Sequence, residues 1–235
     1  MSRWIVQIKG KGSKLTELRP GIKNANSKML TTLNMSSIKE FYRTESDVFN
    51  ATKFRGNTPE VLFAGKSNAG KSSLINALLE SNLTTVSGKP GSTACIYLYS
   101  TLINKKAFLV ADAPGYGKCW RGEQVQREWF HLMEYYIKKS PGLRTVVCLV
   151  DSSVPWSDLD ASLLKNLQRY NKSTILCFTK VDKSKENDIN DRLKIFQNIN
   201  SKNSDKFCIL TSAKLHYGIA ELRSVIYNSL FSEDV

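Results

Sequence analysis

The octapeptide Gly65-Lys66-Ser67-Asn68-Ala69-Gly70-Lys71-Ser72 has the residue types and spacing of a loop that grips a chain of phosphates. Glycines allow the tight turn, the lysine after the second glycine supplies positive charge, and the hydroxyl after it can reach a hard cation. Upstream, Val61-Leu62-Phe63-Ala64 is a short apolar run expected as a buried strand. Downstream, Ser73-Leu74-Ile75-Asn76-Ala77-Leu78-Leu79 is expected as the first two turns of a helix. Strand, loop and helix N-terminus together aim the backbone N–H groups of residues 66–72 at an anion.

Three further segments carry chemistry at the ends of predicted strands. In Asp112-Ala113-Pro114-Gly115 the aspartate can support Mg²⁺ through water, and the glycine N–H can face a terminal phosphate. In Thr179-Lys180-Val181-Asp182 the carboxylate can accept two hydrogen bonds from guanine, from its ring N–H and its exocyclic amine. Adenine lacks that donor pair, so Asp182 would select the base, with the Lys180 stem along the purine face. In Thr211-Ser212-Ala213-Lys214 a backbone N–H, assigned to Ala213, can meet the guanine oxygen. Each motif alone has a structural explanation as a turn or cap. Together, in this order and each at a strand end, they point to a guanine nucleotide. A mobile, hydroxyl-rich segment, Ser87-Gly88-Lys89-Pro90-Gly91-Ser92-Thr93, would sense the third phosphate. Thr93 is the candidate to join Ser72 on Mg²⁺, an ion that prefers oxygen ligands in octahedral geometry.

The elements that must position these groups follow from periodicity. Apolar or β-branched runs at 60–64, 94–102, 106–111, 144–150, 173–178 and 206–210 read as strands, and 72–80, 121–139, 158–170, 188–198 and 218–230 as helices. Val125, Trp129, Leu132, Met133 and Tyr136 form an apolar stripe expected to pack in the core. Strands alternating with helices imply a three-layer α/β sandwich around a mainly parallel six-stranded sheet. The hairpin 94–102/106–111 would add one antiparallel edge strand. Ligands of such sheets sit beyond the strands' carboxyl ends, where the four motifs fall.

A chain of 235 residues suffices for one substantial core. Its net charge of +13 exceeds what a single anionic nucleotide requires, so a polyanion such as RNA is the expected partner. Five cysteines form no ligand or disulfide framework, and four of them lie in strand-like runs as small hydrophobes. No stretch is long and apolar enough for an integral membrane segment. Residues 1–45 read as a basic N-terminal extension, a transit sequence by preference and a disordered RNA-binding arm as the alternative. Residues 46–235 read as the nucleotide-binding domain.

The stretches 65–76, Lys89-Pro90-Gly91-Ser92-Thr93 and Asp112-Ala113-Pro114-Gly115-Tyr116-Gly117 resemble the EngB (YihA) type of GTPase, within the TrmE–Era–EngA–EngB–Septin-like class. Arg127-Glu128-Trp129, Asp151, Pro155 and Asp160 add to the likeness, which spans about residues 46–231. The resemblance implies a P-loop GTPase fold, GTP and GDP as ligands, Mg²⁺ as cofactor, and a monomer acting in assembly of the large ribosomal subunit. With the N-terminal segment it implies a mitochondrial member, the alternative being cytoplasmic. Lys71 and Thr93 would stabilise the transferred phosphoryl group, and Asn68 would bind K⁺ beside the phosphates, as in related GTPases, or else only brace the loop. Ser92 and Ser153 stand where the family usually has arginine. Tyr116 stands where many GTPases have a water-orienting glutamine, and a phenol lacks the carboxamide's donor–acceptor pair, so slow turnover is expected. The competing expectation is a GTP-binding scaffold or switch for a protein partner, without turnover.

Overall fold

Alternation along the strands divides their side chains between two faces of one sheet. The computed structural model describes residues 35–42, 44–82, 84, 95–116, 122–170, 172–185, 188–191 and 207–231. Its elements are β1 (Met35–Tyr42), α1 (Glu45–Arg55), β2 (Glu60–Gly65), α2 (Lys71–Leu79), β3 (Ile96–Ile103) and β4 (Lys106–Asp112). There follow α3 (Glu123–Lys139), β5 (Leu143–Asp151), α4 (Asp158–Arg169), β6 (Ser173–Thr179), a 3₁₀ turn (Val181–Lys183), β7 (Phe207–Leu210) and α5 (Ile219–Phe231). The helical expectation at 188–198 is met at 188–191, and its remainder lies outside the described residues.

The sheet runs β1-β3-β4-β2-β5-β6-β7. All six expected strands are present, and β2 lies parallel to β4 and β5, as β6 does to β5 and β7. β3 is the one reversed strand, turned back onto β4 through Asn104 and Lys105. Both turn residues have positive φ, 49° and 66°, the twist that a two-residue hairpin favours.

A seventh strand, β1, pairs antiparallel with the outer side of β3, with an irregularity between Met35 and Lys39. This corrects the division at residue 45: part of the presumed extension belongs to the sheet, and backbone pairing along β3 supplies the reason. After it, Thr44 and Asp47 form a reciprocal capping box that starts α1, their hydrogen bonds spanning 2.9 and 3.2 Å.

On one face Leu62, Ala64, Val146, Cys148, Leu176 and Phe178 pack under Leu132, Met133 and Tyr136 of α3 and Leu163, Leu164 and Leu167 of α4. On the other, Val61, Phe63, Val147, Leu149, Ile175 and Cys177 pack under α2 and α5. Each fully buried Phe or Leu contributes about 1.5–3 kcal/mol of apolar transfer energy, so both layers anchor the strand ends firmly. Among the described residues no helix is long and apolar enough to cross a membrane. The four described cysteines are free and buried, and burial pushes the Cys177 thiol up to about 12, so they act as core atoms.

Candidate nucleotide-binding site

The carboxyl ends of β2, β4, β5 and β6 bring Gly65, Asp112, Asp151 and Thr179 to the same edge of the sheet. From Gly65 the chain turns through Asn68 (φ 66°) and Gly70 (φ 89°) into α2. A Cβ on Gly65 would lie 2.9 Å from the Leu149 carbonyl oxygen, so the loop's first residue must be glycine to sit against β5. The Ala69 N–H donates to the Lys66 carbonyl at 3.0 Å, and the Ser67 N–H donates to the Tyr116 carbonyl at 2.8 Å. Those two amides are therefore engaged within the protein, which leaves the N–H groups of Lys66, Asn68 and residues 70–72 as the candidates for a phosphate cradle. That narrows the expected set of 66–72.

Lys71 is buried at the start of α2. Burial lowers its pKa, and the nearby Asp112 carboxylate works to raise it. Asp112 is itself 2% exposed, and burial raises its pKa to about 6 against the opposing pull of Lys71 and the Ser72 hydroxyl. The Ser72 Oγ lies 3.4 Å from Asp112 Oδ2, while Asp112 Oδ1 is buried without a hydrogen-bond partner. An orphaned carboxylate oxygen beside a hydroxyl at a phosphate loop fits a hydrated hard cation. Mg²⁺ would be held by Ser72 directly and by Asp112 through water. Thr93, Gly91 and Ser92 lie outside the described residues.

Thr179 and Lys180 tie the third motif to the loop. Thr179 Oγ1 donates to the Ala69 carbonyl at 2.6 Å. Lys180, itself at φ 56°, donates from Nζ to the Asn68 carbonyl at 2.6 Å and pairs with Asp151 at 2.7 Å. Asp151 also accepts from the Ser153 N–H and hydroxyl, so the serine at that position orients the carboxylate that orients Lys180. The Val181 N–H donates to the Thr211 carbonyl at 3.2 Å, joining the third motif to the fourth.

Asp182 is exposed at the rim, where Ser212 Oγ donates to its Oδ1 at 2.6 Å. A cleft of about 710 Å³ runs from Gly70 and Ser73 past Lys180 to Asp182, Ala213 and Lys214. Phosphate loop, lysine stem, carboxylate and Ala213 thus border one concavity. Ala113 and Pro114 lead from β4 to Gly115, whose added Cβ would lie 2.7 Å from Ser67 Cα, so that close approach also requires glycine.

Two features escaped the sequence reading. Asp160 caps α4 by accepting from Ser157, and it also pairs with Lys66 of the phosphate loop at 2.5 Å. The Ser-x-x-Asp cap is readable in sequence, but nothing in the sequence points to the partner 94 residues away. Second, Asn76 and Thr84 clamp the chain leaving α2, and Thr84 Oγ1 donates to the Ser72 carbonyl at 2.8 Å. His131 is exposed on α3 away from these groups, while the exposed His216 lines the cleft beside Lys214.

A family model described as 50S ribosome-binding GTPase matches residues 60–180. The chain is 36% identical over 173 residues to a probable GTP-binding protein EngB of Acidobacterium capsulatum, covering 72% of this chain and 81% of that one. It is 36% identical over 167 residues to a protein of the same description from Thermotoga maritima, covering 71% and 84%. Among solved structures, Era of Aquifex aeolicus bound to GDP and AlF4⁻ superposes with a TM-score of 0.62 at 21% identity, over 74% of this chain and 57% of that one. A probable GTP-binding protein EngB superposes with a TM-score of 0.58 at 21% identity, over 74% and 99%. At that identity these structures speak for the fold.

Proposed function

The chain belongs to the EngB family of GTPases, and from that premise we propose that it is a slow GTP-hydrolysing switch acting on the large ribosomal subunit during assembly. The observation carrying the second half is the net charge of +13 on a chain whose own ligand is one small anion. The description of its family model, a 50S ribosome-binding GTPase, runs in the same direction. Era, a structural neighbour, has been solved with a segment of 16S ribosomal RNA.

Hydrolysis in such a site depends on position and charge. Lys71 meets the β- and γ-phosphates, the amides at the start of α2 cradle them, and Gly115 offers its N–H to the terminal phosphate. When bound, Mg²⁺ neutralises charge that develops on the phosphate oxygens. Segments 87–93 and 113–123 would tighten on GTP and loosen on GDP. Slow turnover follows from Tyr116. Its hydroxyl lies 3.4 Å from Asp160 Oδ1, and a phenol lacks the carboxamide's donor–acceptor pair for orienting the attacking water.

Co-sedimentation of the GTP-analogue-loaded protein with large subunits tests the reading. Binding should require the analogue over GDP and should weaken steeply with salt, as counterion release demands. Binding indifferent to nucleotide and salt would instead favour a scaffold for a protein partner. The basic, acid-poor N-terminal segment supports a mitochondrial matrix location, which a C-terminal fluorescent fusion would test; cytoplasmic signal would reject it.

A further inference from the structure

The pairing of Lys66 with Asp160 connects the phosphate loop to a helix that takes no part in binding nucleotide. Asp160 is 1% exposed and uses both carboxylate oxygens. Its Oδ2 accepts from Lys66 Nζ at 2.5 Å, from the Ser157 N–H at 3.1 Å and from the Ser157 hydroxyl at 3.0 Å. Its Oδ1 accepts from the Tyr116 hydroxyl at 3.4 Å. Tyr116 in turn runs beside the loop as a strap: its N–H donates to the Gly65 carbonyl at 3.2 Å and its carbonyl accepts from the Ser67 N–H at 2.8 Å. Ser67 Oγ donates to the Gly115 carbonyl at 3.2 Å. One buried carboxylate therefore fixes residue 66 on the loop and residue 116 on the strap, and these two bracket the contact between Ser67 and Gly115.

We propose that Asp160 is a positioning residue that sets the Gly115 strap against the phosphate loop, so that the protein's preference for GTP over GDP depends on it. The geometry supplies the cause. Gly115 can meet only the third phosphate, whereas the amides at the start of α2 meet phosphates that GDP also carries. A carboxylate buried against two donors from different segments fixes their separation, because releasing either leaves a buried charge short of a partner. Loosening Asp160 shifts the strap relative to the loop and leaves α2, anchored by its own core face, where it was.

The proposal depends on Gly115 facing the terminal phosphate, and the test separates the two ideas. Dissociation constants for fluorescent GDP and a fluorescent non-hydrolysable GTP analogue are measured on the full chain and on Gly115→Ala, Asp160→Asn, Tyr116→Phe, Lys66→Met and Lys66→Arg. Asp160→Asn and Lys66→Met should weaken the GTP analogue by about tenfold or more while GDP changes less than about threefold, in keeping with loss of a charged hydrogen bond. Lys66→Arg, which keeps the charge, should recover most of the loss, and Tyr116→Phe should give a smaller bias of the same sign without disturbing ring packing. Lys66→Met added to Asp160→Asn should cost little more than either alone. Equal losses for both nucleotides, or additive losses in the double variant, would reduce Asp160 to a helix cap and overturn the proposal. Should Asp160→Asn fail to fold, Tyr116→Phe carries the test alone, and an unbiased result there rejects it. If Gly115→Ala weakens both nucleotides equally, the phosphate reading of Gly115 fails first.

Discussion

Ser212 Oγ donates to Asp182 Oδ1 across 2.6 Å, so a buried hydroxyl after β7 fixes the exposed carboxylate after β6. The same hydroxyl accepts from the Leu215 N–H at 3.2 Å, which sets its rotamer. If Asp182 reads the base, selection rests on this pair. Replacing Asp182 by Asn exchanges an acceptor for a donor, and xanthine presents an oxygen where guanine presents an amine. Asp182→Asn should therefore bind xanthosine triphosphate over GTP in calorimetry. Ser212→Ala should keep guanine selectivity and weaken GTP and GDP alike, by about tenfold, as expected for one charge-assisted hydrogen bond. Retained GTP preference in Asp182→Asn would remove the base-reading role.

Thr179 offers a stability prediction. Its hydroxyl, buried at the end of β6, reaches the Ala69 carbonyl at 2.6 Å and is the polar tie between that strand and the phosphate loop. Thr179→Val keeps the shape and removes the donor. It should lower unfolding stability by about 1–3 kcal/mol in denaturant titrations, while Thr179→Ser restores most of it. Nucleotide affinity should fall with the stability, since the loop loses its brace. A valine variant with unchanged midpoint and affinity would show the bond to be incidental.

These ties explain which parts of the molecule were legible in sequence. The strands β2 to β7 announced themselves because Val61–Ala64, Val146–Val150 and Thr174–Phe178 are dense in buried apolar residues, and local periodicity records burial. The motifs were legible because phosphate and guanine chemistry constrains residue type at fixed offsets. β1 was not, because Met35-Ser36-Ser37-Ile38-Lys39-Glu40 shows little apolar alternation and its pairing depends on β3, some sixty residues on. α1 is amphipathic only weakly, and its capping box at Thr44 and Asp47 was the available signal. The Lys66–Asp160 pair was invisible because side-chain contact between distant segments leaves no local pattern.

Asp112 gives the protein a particular pH response in the absence of nucleotide. Its pKa is raised to about 6 from an ordinary 3.8, chiefly by burial, with Lys71 and Ser72 pulling the other way. Between those values the folded state binds more protons than the unfolded chain, so stability must fall as pH rises from about 4 to about 6 and then level off. The shift corresponds to as much as about 3 kcal/mol. Asp151 and Glu134 act with the opposite sign, because both are depressed, and their windows lie below their ordinary values. For Asp151 the Lys180 and Ser153 hydrogen bonds outweigh burial; for Glu134 the leading cause is the Tyr170 hydroxyl. Lys71 is lowered by burial, so its contribution rises with pH below its ordinary value, opposite in sign to that of Asp112. Melting temperatures of nucleotide-free protein across pH 4–7 should show the falling limb, and Asp112→Asn should lack it.

Asn68 offers a test of monovalent-ion dependence. It sits at φ 66°, a conformation that asparagine tolerates better than most residues, and its carbonyl is fixed by Lys180 Nζ at 2.6 Å. Its side chain is exposed at the mouth of the loop, where an oxygen ligand could join phosphate oxygens around K⁺. If that is its role, hydrolysis should be about tenfold or more faster in K⁺ than in Na⁺, the scale of one electrostatic contact to developing charge. Asn68→Gly accepts the left-handed backbone without strain and removes only the carboxamide, so it should abolish the K⁺ advantage while leaving the melting temperature close to the parent's. Equal rates in the two salts for the parent protein would leave Asn68 with the backbone turn alone, and the positive charge opposite the γ-phosphate would then rest on Lys71.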